Sequence, residues 1–358
     1  MSDPVFLAPS QSPVRMLNAF LDDPQFSASA PCATFRQIPL GFIDVGARGG
    51  VHPIMEPLAG VTAVLGFEPD PVEYRRLQAA SQTSAPWARL AMEPWALADT
   101  EGRSPLHVLS MPTNCSLRPP NMNYVRRYEM ERFVEVGMES VATTTMDKVL
   151  FGSRAQEDFW GEFVKLDTQG TEYEVLLGAE RMLAERTVAV LTEVSFFEIY
   201  EGQRLFSEME LFLREHGFCF YGFTTAYTRT RKLLDKRRGM VRERAFYADA
   251  VFFKDPLPGG AAPVKLSLRG THVLFTCAVL LGYYDFALEV ALGTWAQGEE
   301  AKRLTDFVQE QANKLGAPTF MEVQALAERL RADPIRAVVE VGRFVDQRRH
   351  FADYNDVK

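Results

Sequence analysis

Beyond Leu40, short apolar runs alternate with stretches of helical periodicity. The runs lie at 41–45 (GFIDV), 63–68 (AVLGFE), 88–97 (ARLAMEPWAL), 163–168 (FVKLDT) and 188–194 (VAVLTEV). Strands apolar on both faces and separated by helix-like segments predict a mainly parallel sheet with helices on both sides. All five runs carry polar residues at or just past their C-terminal ends, where open α/β sheets bind ligands. Two later runs, 218–223 (FCFYGF) and 249–253 (DAVFF), have no crossover helix between them and predict an antiparallel hairpin closing the sheet. Helices are expected over 72–80 and 173–183.

The flanks differ in texture. Residues 1–39 form an extension rich in Pro, Ser and Ala, with one helical candidate at 14–21. After Asp255 the segment DPLPGGAAPVK predicts a linker. Helical patterns follow over 272–292, 299–315, 319–332 and 335–351, and the phrase LLGYYDFALEVAL has the apolar spacing of a packed helical hairpin. The expected organisation is an extension (1–39), a sheet domain (40–256) and an α-helical C-terminal domain (257–358).

Composition narrows the class. With 47% hydrophobic and 24% charged residues in 358, the chain is neither disordered nor fibrous. A net charge of −8 repels phosphate backbones and argues against a nucleic-acid partner. Cys32, Cys115, Cys219 and Cys277 are far apart with no CxxC spacing, so free thiols are expected rather than zinc ligands or disulfides. The N-terminus lacks a signal-peptide pattern. The most apolar stretch, 272–284, is too short to span a bilayer and runs into Asp285 and Glu289. A cytoplasmic protein without a membrane span is the expectation.

The densest chemical signal is 42–50 (FIDVGARGG), in which a strand ends in Asp44 and turns through Gly46, Gly49 and Gly50. Glycines allow a tight turn and close approach of backbone to a ligand. The spacing is wrong for GxGxxG and no GKS/T follows, which counts against a dinucleotide or P-loop site. A glycine turn alone fits a simple strand–helix junction. The second run, however, ends at Glu68-Pro69-Asp70, where an acid can take both hydroxyls of a ribose. The third run ends at Ala96, Leu97 and Asp99, positions suited to packing an adenine ring and bonding its amine.

The fourth and fifth runs end in Asp167-Thr168-Gln169-Gly170-Thr171-Glu172 and in Glu193, the latter leading to Tyr200 and Gln203. DVGARGG, FEPDP, VATTTMDKVL, KLDTQGTEYEVLLGAE and TEVSFFEIYEGQRLF, in that order and at that spacing, resemble the FkbM family of methyltransferases over about residues 40–255. The resemblance implies a class I, Rossmann-like fold with a seven-stranded, mostly parallel sheet and an antiparallel final strand. It also implies S-adenosylmethionine as cofactor and methylation of a hydroxyl on a sugar, glycan or secondary metabolite. Carried over by motif, Asp44, Gly46, Ala47 and Gly49 would hold the methionine part of the donor and Glu68, with Pro69 and Asp70, its ribose. Ala96 and Leu97 would flank the adenine, and Asp167, Gln169, Gly170 and Glu172 would face the reaction centre.

One departure stands out. The family commonly places Asn after DVGA, whereas this chain has Arg48. A cation beside a sulfonium is electrostatically unfavourable, so Arg48 is expected to point outward or to pair with Asp44 or Glu172.

Methyl transfer to an alcohol needs alignment, exclusion of water and a proton acceptor. Asp167 is the first candidate for that base and also a donor contact, Glu193 is the second, and His52 a weaker third that fits a helix start equally well. Asn114 and Ser116 lie where a substrate-facing loop would run, and Tyr200 and Gln203 are candidates for the acceptor pocket. A divalent cation among Asp167, Glu172 and Glu193 is conceivable on ligand type, but no spacing demands it and no metal is expected.

The loop 228–244 holds eight basic residues against two acidic ones. Arg229, Arg231, Lys232, Lys236, Arg237 and Arg238 are read either as a solvated loop or as a surface steering an anionic small-molecule or glycan acceptor. The C-terminal helices suit a homodimer interface, a lid or a partner dock. Two other readings stay open: a non-catalytic nucleoside-binding protein that docks a partner through those helices, and a nucleotide-sugar enzyme.

Overall fold

The computed structural model describes residues 16–83, 86–237, 239, 242–259, 264–295, 298–316 and 319–346. Its strands are β1 (Leu40–Val45), β2 (Thr62–Phe67), β3 (Arg89–Glu93), β4 (Ala96–Leu97), β5 (Gly102–Leu109), β6 (Glu135–Thr144), β7 (Phe163–Leu166), β8 (Ala189–Ser195), β9 (Cys219–Arg229) and β10 (Arg244–Phe253). Seven of them form one sheet in the order β3-β2-β1-β7-β8-β10-β9. The pairs from β3 to β8 are parallel, and β10 runs antiparallel to both β8 and β9. The strand order reverses between β1 and β7, which opens a crevice at their carboxyl ends.

Both faces of the sheet are dry, as the continuous apolar runs require. One face presents Phe42, Phe163, Leu191, Val251 and Phe253, and the other Ile43, Val45, Val164, Val190 and Phe252. The second face is covered by Val175, Leu176, Met182, Leu183, Met209 and Leu213 from short helices following β7 and β8.

The first face is covered from both ends of the chain. Phe26 and Phe35 of the helices Pro24–Ser27 and Ala30–Gln37 share one core with Leu268–Leu280, Tyr284–Trp295 and Glu299–Gly316. Phe20, Phe26 and Phe307 meet ring to ring at 5.0–5.5 Å. Glu300 accepts the Ala30 amide at 2.6 Å, and Thr34 bonds His272 at 2.8 Å. Arg269 ties this layer to the sheet. It pairs with buried Glu162 just before β7 and donates to the Ile38 and Pro39 carbonyls, while Glu162 also accepts the Gly41 amide at 2.9 Å. The change of composition at 257 is thus crossed by continuous packing. The last two helices, Thr319–Ala332 and Ala337–Asp346, lie against each other, with Glu340 facing Arg329, Arg336 and Arg343.

Several local expectations are corrected. Of the helical candidate at 14–21, residues 17–21 form turns and 14–15 lie outside the described residues. The helix expected over 173–183 is two helices, Glu172–Leu177 and Glu180–Glu185, parted at Gly178. A side chain at Gly178 would meet the Ala98 carbonyl oxygen at 2.2 Å, so close passage of the chain after β4 sets the break. The run 88–97 is split between two sheets. β4 joins β6 and β5 in a separate three-stranded sheet. That sheet is weakly written because Pro105 lies inside β5 and most of β6 is solvent-exposed, Val136 and Met138 included. The helical stretch 272–292 is a hairpin turning near Gly282 at φ 85°.

Because the C-terminal helices complete the core, a cavity there should be felt by the whole fold. Phe275 is fully buried, and Phe275→Ala is expected to cost about 3–5 kcal/mol in a single cooperative urea transition. A separate early transition for the helices, with the sheet unaffected, would contradict the shared core.

Candidate active site at the carboxyl ends of the strands

Gly46 sits where β1 leaves the sheet. Its φ is +80°, and a Cβ would lie 2.0 Å from the Asp167 carbonyl oxygen, so only glycine lets the turn pass this close to β7. The amides of Gly46 and Ala47 bond the Phe67 carbonyl at 3.2 and 3.1 Å, fastening the turn to the end of β2. Gly49 and Gly50, at φ +89° and +131°, have no atom within 4 Å of where a Cβ would stand. The turn is pinned on its sheet side, and on its outer side Glu73 accepts the Gly49 amide at 2.8 Å.

Asp44 is 1% exposed at the end of β1. One oxygen accepts the His52 amide at 2.7 Å, and the other lies 3.2 Å from the Lys165 ammonium. His52 itself accepts the Ile54 amide and caps the 3-10 helix Pro53–Val61. Glu68, 3% exposed, ends β2 and accepts the Asp70 amide at 2.9 Å. Burial raises its carboxyl above the usual range. Asp70 caps the helix Pro71–Thr83 through the Val72 and Glu73 amides. Of the two expectations for Arg48, an outward position or a pairing with Asp44 or Glu172, the pairing is not found, and the Arg48 side chain is 26% exposed. It reaches Asp70 at 3.0 Å and Glu68 at 3.7 Å, because two carboxylates converge at the end of β2. Ala96 and Leu97 are buried at 5% and 3%, on β4 beside Thr143 and Thr144 of β6.

Across the crevice, register assembles a row of acids. Asp44 pairs with Lys165 on β7, and one step beyond the Leu166–Thr192 pair Asp167 comes level with Glu193. Glu193 in turn pairs with Asp249 on β10. Period-two alternation puts all of these on one face. Oxygens of Asp167, Glu172 and Glu193 lie within 4.8 Å of one another, a spacing a hard cation could accept. Glu172 is already committed. Its carboxylate accepts the Thr168 amide at 2.7 Å and the Gly170 amide at 3.1–3.2 Å, which braces the turn that carries Asp167.

The Asp167 side chain is 41% exposed to the crevice. Gln169, held at a left-handed φ of 61°, donates to its Oδ1 at 2.7 Å, and Tyr200 places its hydroxyl 2.9 Å from the Gln169 amide oxygen. Gly170 leaves room for the Tyr200 ring, since a Cβ there would come within 2.8 Å of it. The 114–116 loop joins this network. The Asn114 carbonyl lies 2.8 Å from the Tyr200 hydroxyl, and the Ser116 hydroxyl donates to the Gln169 carbonyl at 2.6 Å. Gln203 is buried and spends its amide on the Ile199 and Tyr200 amides and on the Ser195 hydroxyl, so it holds the chain after β8.

Four residues of the basic loop have partners outside this row. The Arg229 guanidinium lies over the Phe246 ring at 4.8 Å, and Arg231 is 4.0 Å from Glu129. Lys236 and Arg237 pair with the loop's own Glu243 and Asp235. Arg238 lies outside the described residues.

Two groups were not singled out as site residues from the sequence: Lys165 and Asp249. Each is a charge inside an apolar strand, and that anomaly was the available signal. Burial, then the Asp167 charge, pushes the Asp249 carboxyl up to about 7, and Glu193 moves in the same direction for the same reasons. Lys165 moves upward instead, because Asp44 and Asp167 outweigh the burial that would lower it. Tyr227 and Tyr247 stack at 4.3 Å beside Asp249.

A glycine turn and strand-end carboxylates at the β1–β7 switch, on a sheet whose last strand is reversed, define a class I methyltransferase fold. Residues 44–220 match the model of the methyltransferase FkbM domain, and the chain carries a domain of that family. No curated protein matches the chain. Among solved structures it is similar to a methyltransferase FkbM from Methylobacillus flagellatus KT, with 14% identity, a TM-score of 0.35, and 60% of this chain and 43% of that one covered. This chain therefore spans less than half the length of that relative. A second similar structure is magnesium protoporphyrin IX methyltransferase from Synechocystis PCC 6803 with S-adenosylmethionine bound, with 8% identity, a TM-score of 0.30, and 63% and 74% covered. Among the described residues no helix is long and apolar enough to cross a membrane.

The raised Asp249 carboxyl makes a signed prediction. Between the ordinary Asp value and about 7, the folded state holds a proton that the unfolded chain has released, so stability falls as pH rises through this window. Urea unfolding should show wild type losing up to about 3 kcal/mol between pH 5 and 8, with a visibly flatter profile for Asp249→Asn. Parallel profiles would remove the assignment.

Proposed function

We propose that the chain is an S-adenosylmethionine-dependent methyltransferase acting on a hydroxyl oxygen of a sugar, glycan or secondary metabolite. The observation that carries this is the convergence of Asp44, Glu68 and Asp167 on one glycine turn at the switch point. The donor set fits. Acids end β1 and β2, and the space beside Gly49 and Gly50 is open where a side chain would otherwise stand.

Glu68 takes the ribose hydroxyls, with Pro69 and Asp70 fixing the chain behind it. Asp44, Gly46, Ala47 and Gly49 hold the methionine end, and Ala96 and Leu97 wall the adenine. When bound, S-adenosylmethionine supplies an electrophilic methyl on a sulfonium that brings its own leaving group. The protein's share is alignment and exclusion of water, worth about 7–11 kcal/mol in well-oriented systems. Asp167 orients the acceptor hydroxyl and Glu193 stands beside it to receive the proton. Glu172, Gln169 and Tyr200 keep Asp167 in place, and Asn114, Ser116 and Gln203 hold the loops that bound the acceptor side. Because Arg229 and Arg231 turn toward Phe246 and Glu129, the row of acids favours a neutral hydroxyl over an anionic acceptor.

Isothermal titration with S-adenosylmethionine and S-adenosylhomocysteine tests the donor site. Both should bind wild type, and Glu68→Ala should weaken both by about tenfold to a hundredfold, the worth of a charged hydrogen bond. Failure of either ligand to bind wild type would sink the proposal. Transfer of labelled methyl to small molecules of a cell extract tests the chemistry. Glu193→Gln should lower it by about 10²–10⁴-fold, the contribution of a positioned proton acceptor.

A further inference from the structure

We propose that Lys165 sets the charge of the donor site, and with it the preference between the sulfonium of S-adenosylmethionine and the neutral thioether of S-adenosylhomocysteine. The inference rests on the donor reading above and assigns a specificity-determining role to Lys165, whose ion pair with Asp44 also joins β1 to β7.

The ammonium stands at the centre of the crevice. It is 3.2 Å from Asp44 Oδ1, 3.7 Å from Asp167 Oδ2 and 3.5 Å from the Gly46 carbonyl. It thereby touches the acid ending β1, the glycine turn and the acid ending β7. On the same face Glu193 and Asp249 continue the row, and Glu172 lies behind Asp167. Lys165 is 7% exposed in a strand whose other members are Phe, Val and Leu. An apolar residue would pack there without desolvating a charge. What a buried ammonium provides is a positive charge facing several carboxylates.

The two ligands share ribose, adenine and amino-acid groups and differ by one methyl and one positive charge. A difference in their affinities therefore reads the field at the sulfur position, whereas loss of structure weakens both together. A field set too negative would hold a full sulfonium charge more firmly than the transition state, in which that charge disperses. Lys165 offsets part of the field.

Titrations at pH 8 of wild type, Lys165→Met and Lys165→Arg decide it, read as the ratio of the S-adenosylhomocysteine to the S-adenosylmethionine dissociation constant. Lys165→Met should raise this ratio about tenfold or more, as expected for one charge several ångströms away in a partly screened site. Lys165→Arg should leave it within about twofold. An unchanged ratio in Lys165→Met, with both affinities moving together, would reduce Lys165 to a structural ion pair and overturn the inference. Should Lys165→Met fail to fold, Asp249→Asn carries the same decision with the opposite sign: loss of a negative charge must lower the ratio, and no change overturns the inference. Absence of binding of either ligand to wild type would instead refute the donor reading itself.

Discussion

The ion pair between Lys165 and Asp44, with Asp167 alongside, joins the two strands between which the sheet changes direction. Everything near the crevice is arranged about it. Gly46 must be glycine because the turn crosses the Asp167 carbonyl, and that crossing brings the second acid within reach of the same ammonium. Glu172 spends its oxygens on the backbone of the 168–170 turn rather than on solvent, which keeps Asp167 at the mouth of the crevice. An acid-rich site can be buried this far only if at least one cation shares it and the remaining carboxyls shift upward. Both conditions are met, in Lys165 and in the raised carboxyls of Glu193 and Asp249.

The sheet that carries this network is closed on one side by residues from both chain ends. Glu162 shows how the arrangement is tied: one buried carboxylate bonds the start of β1 and the guanidinium of Arg269 on the first C-terminal helix. The helices after 264 thus support the strands that hold the crevice acids, from the face opposite the short helices that follow β7 and β8. Arg48 adds a second tie at the rim. It takes the position the family commonly gives to Asn and spans from the glycine turn to Asp70 and Glu68, joining the first and second strand ends by charge.

Much of this was legible in the sequence. The apolar runs gave the strands of the main sheet, and the acids closing them gave Asp44, Glu68, Asp167 and Glu193, because strand ends in this architecture face the ligand crevice. The β5–β6 pair was hidden by a proline inside β5 and by a strand whose apolar residues Val136 and Met138 face solvent, so burial does not follow polarity there. The break at Gly178 was hidden because it answers a backbone carbonyl about 80 residues away in sequence. Asp249 went unread since it starts an apolar run rather than ending one; it belongs to the site only because β10 is reversed, which brings its first half level with the carboxyl ends of its neighbours.

By itself the sequence determined the strands of the main sheet and which acids terminate its parallel strands, since these depend on local periodicity and on residues close in the chain. Tertiary structure alone decided which charges face one another. That Lys165 meets Asp44, that Glu193 meets Asp249, and that Arg48 meets Glu68 all follow from strand order and register. Electrostatic energy depends on distances of a few ångströms and on burial, and neither quantity is carried by separation along the chain.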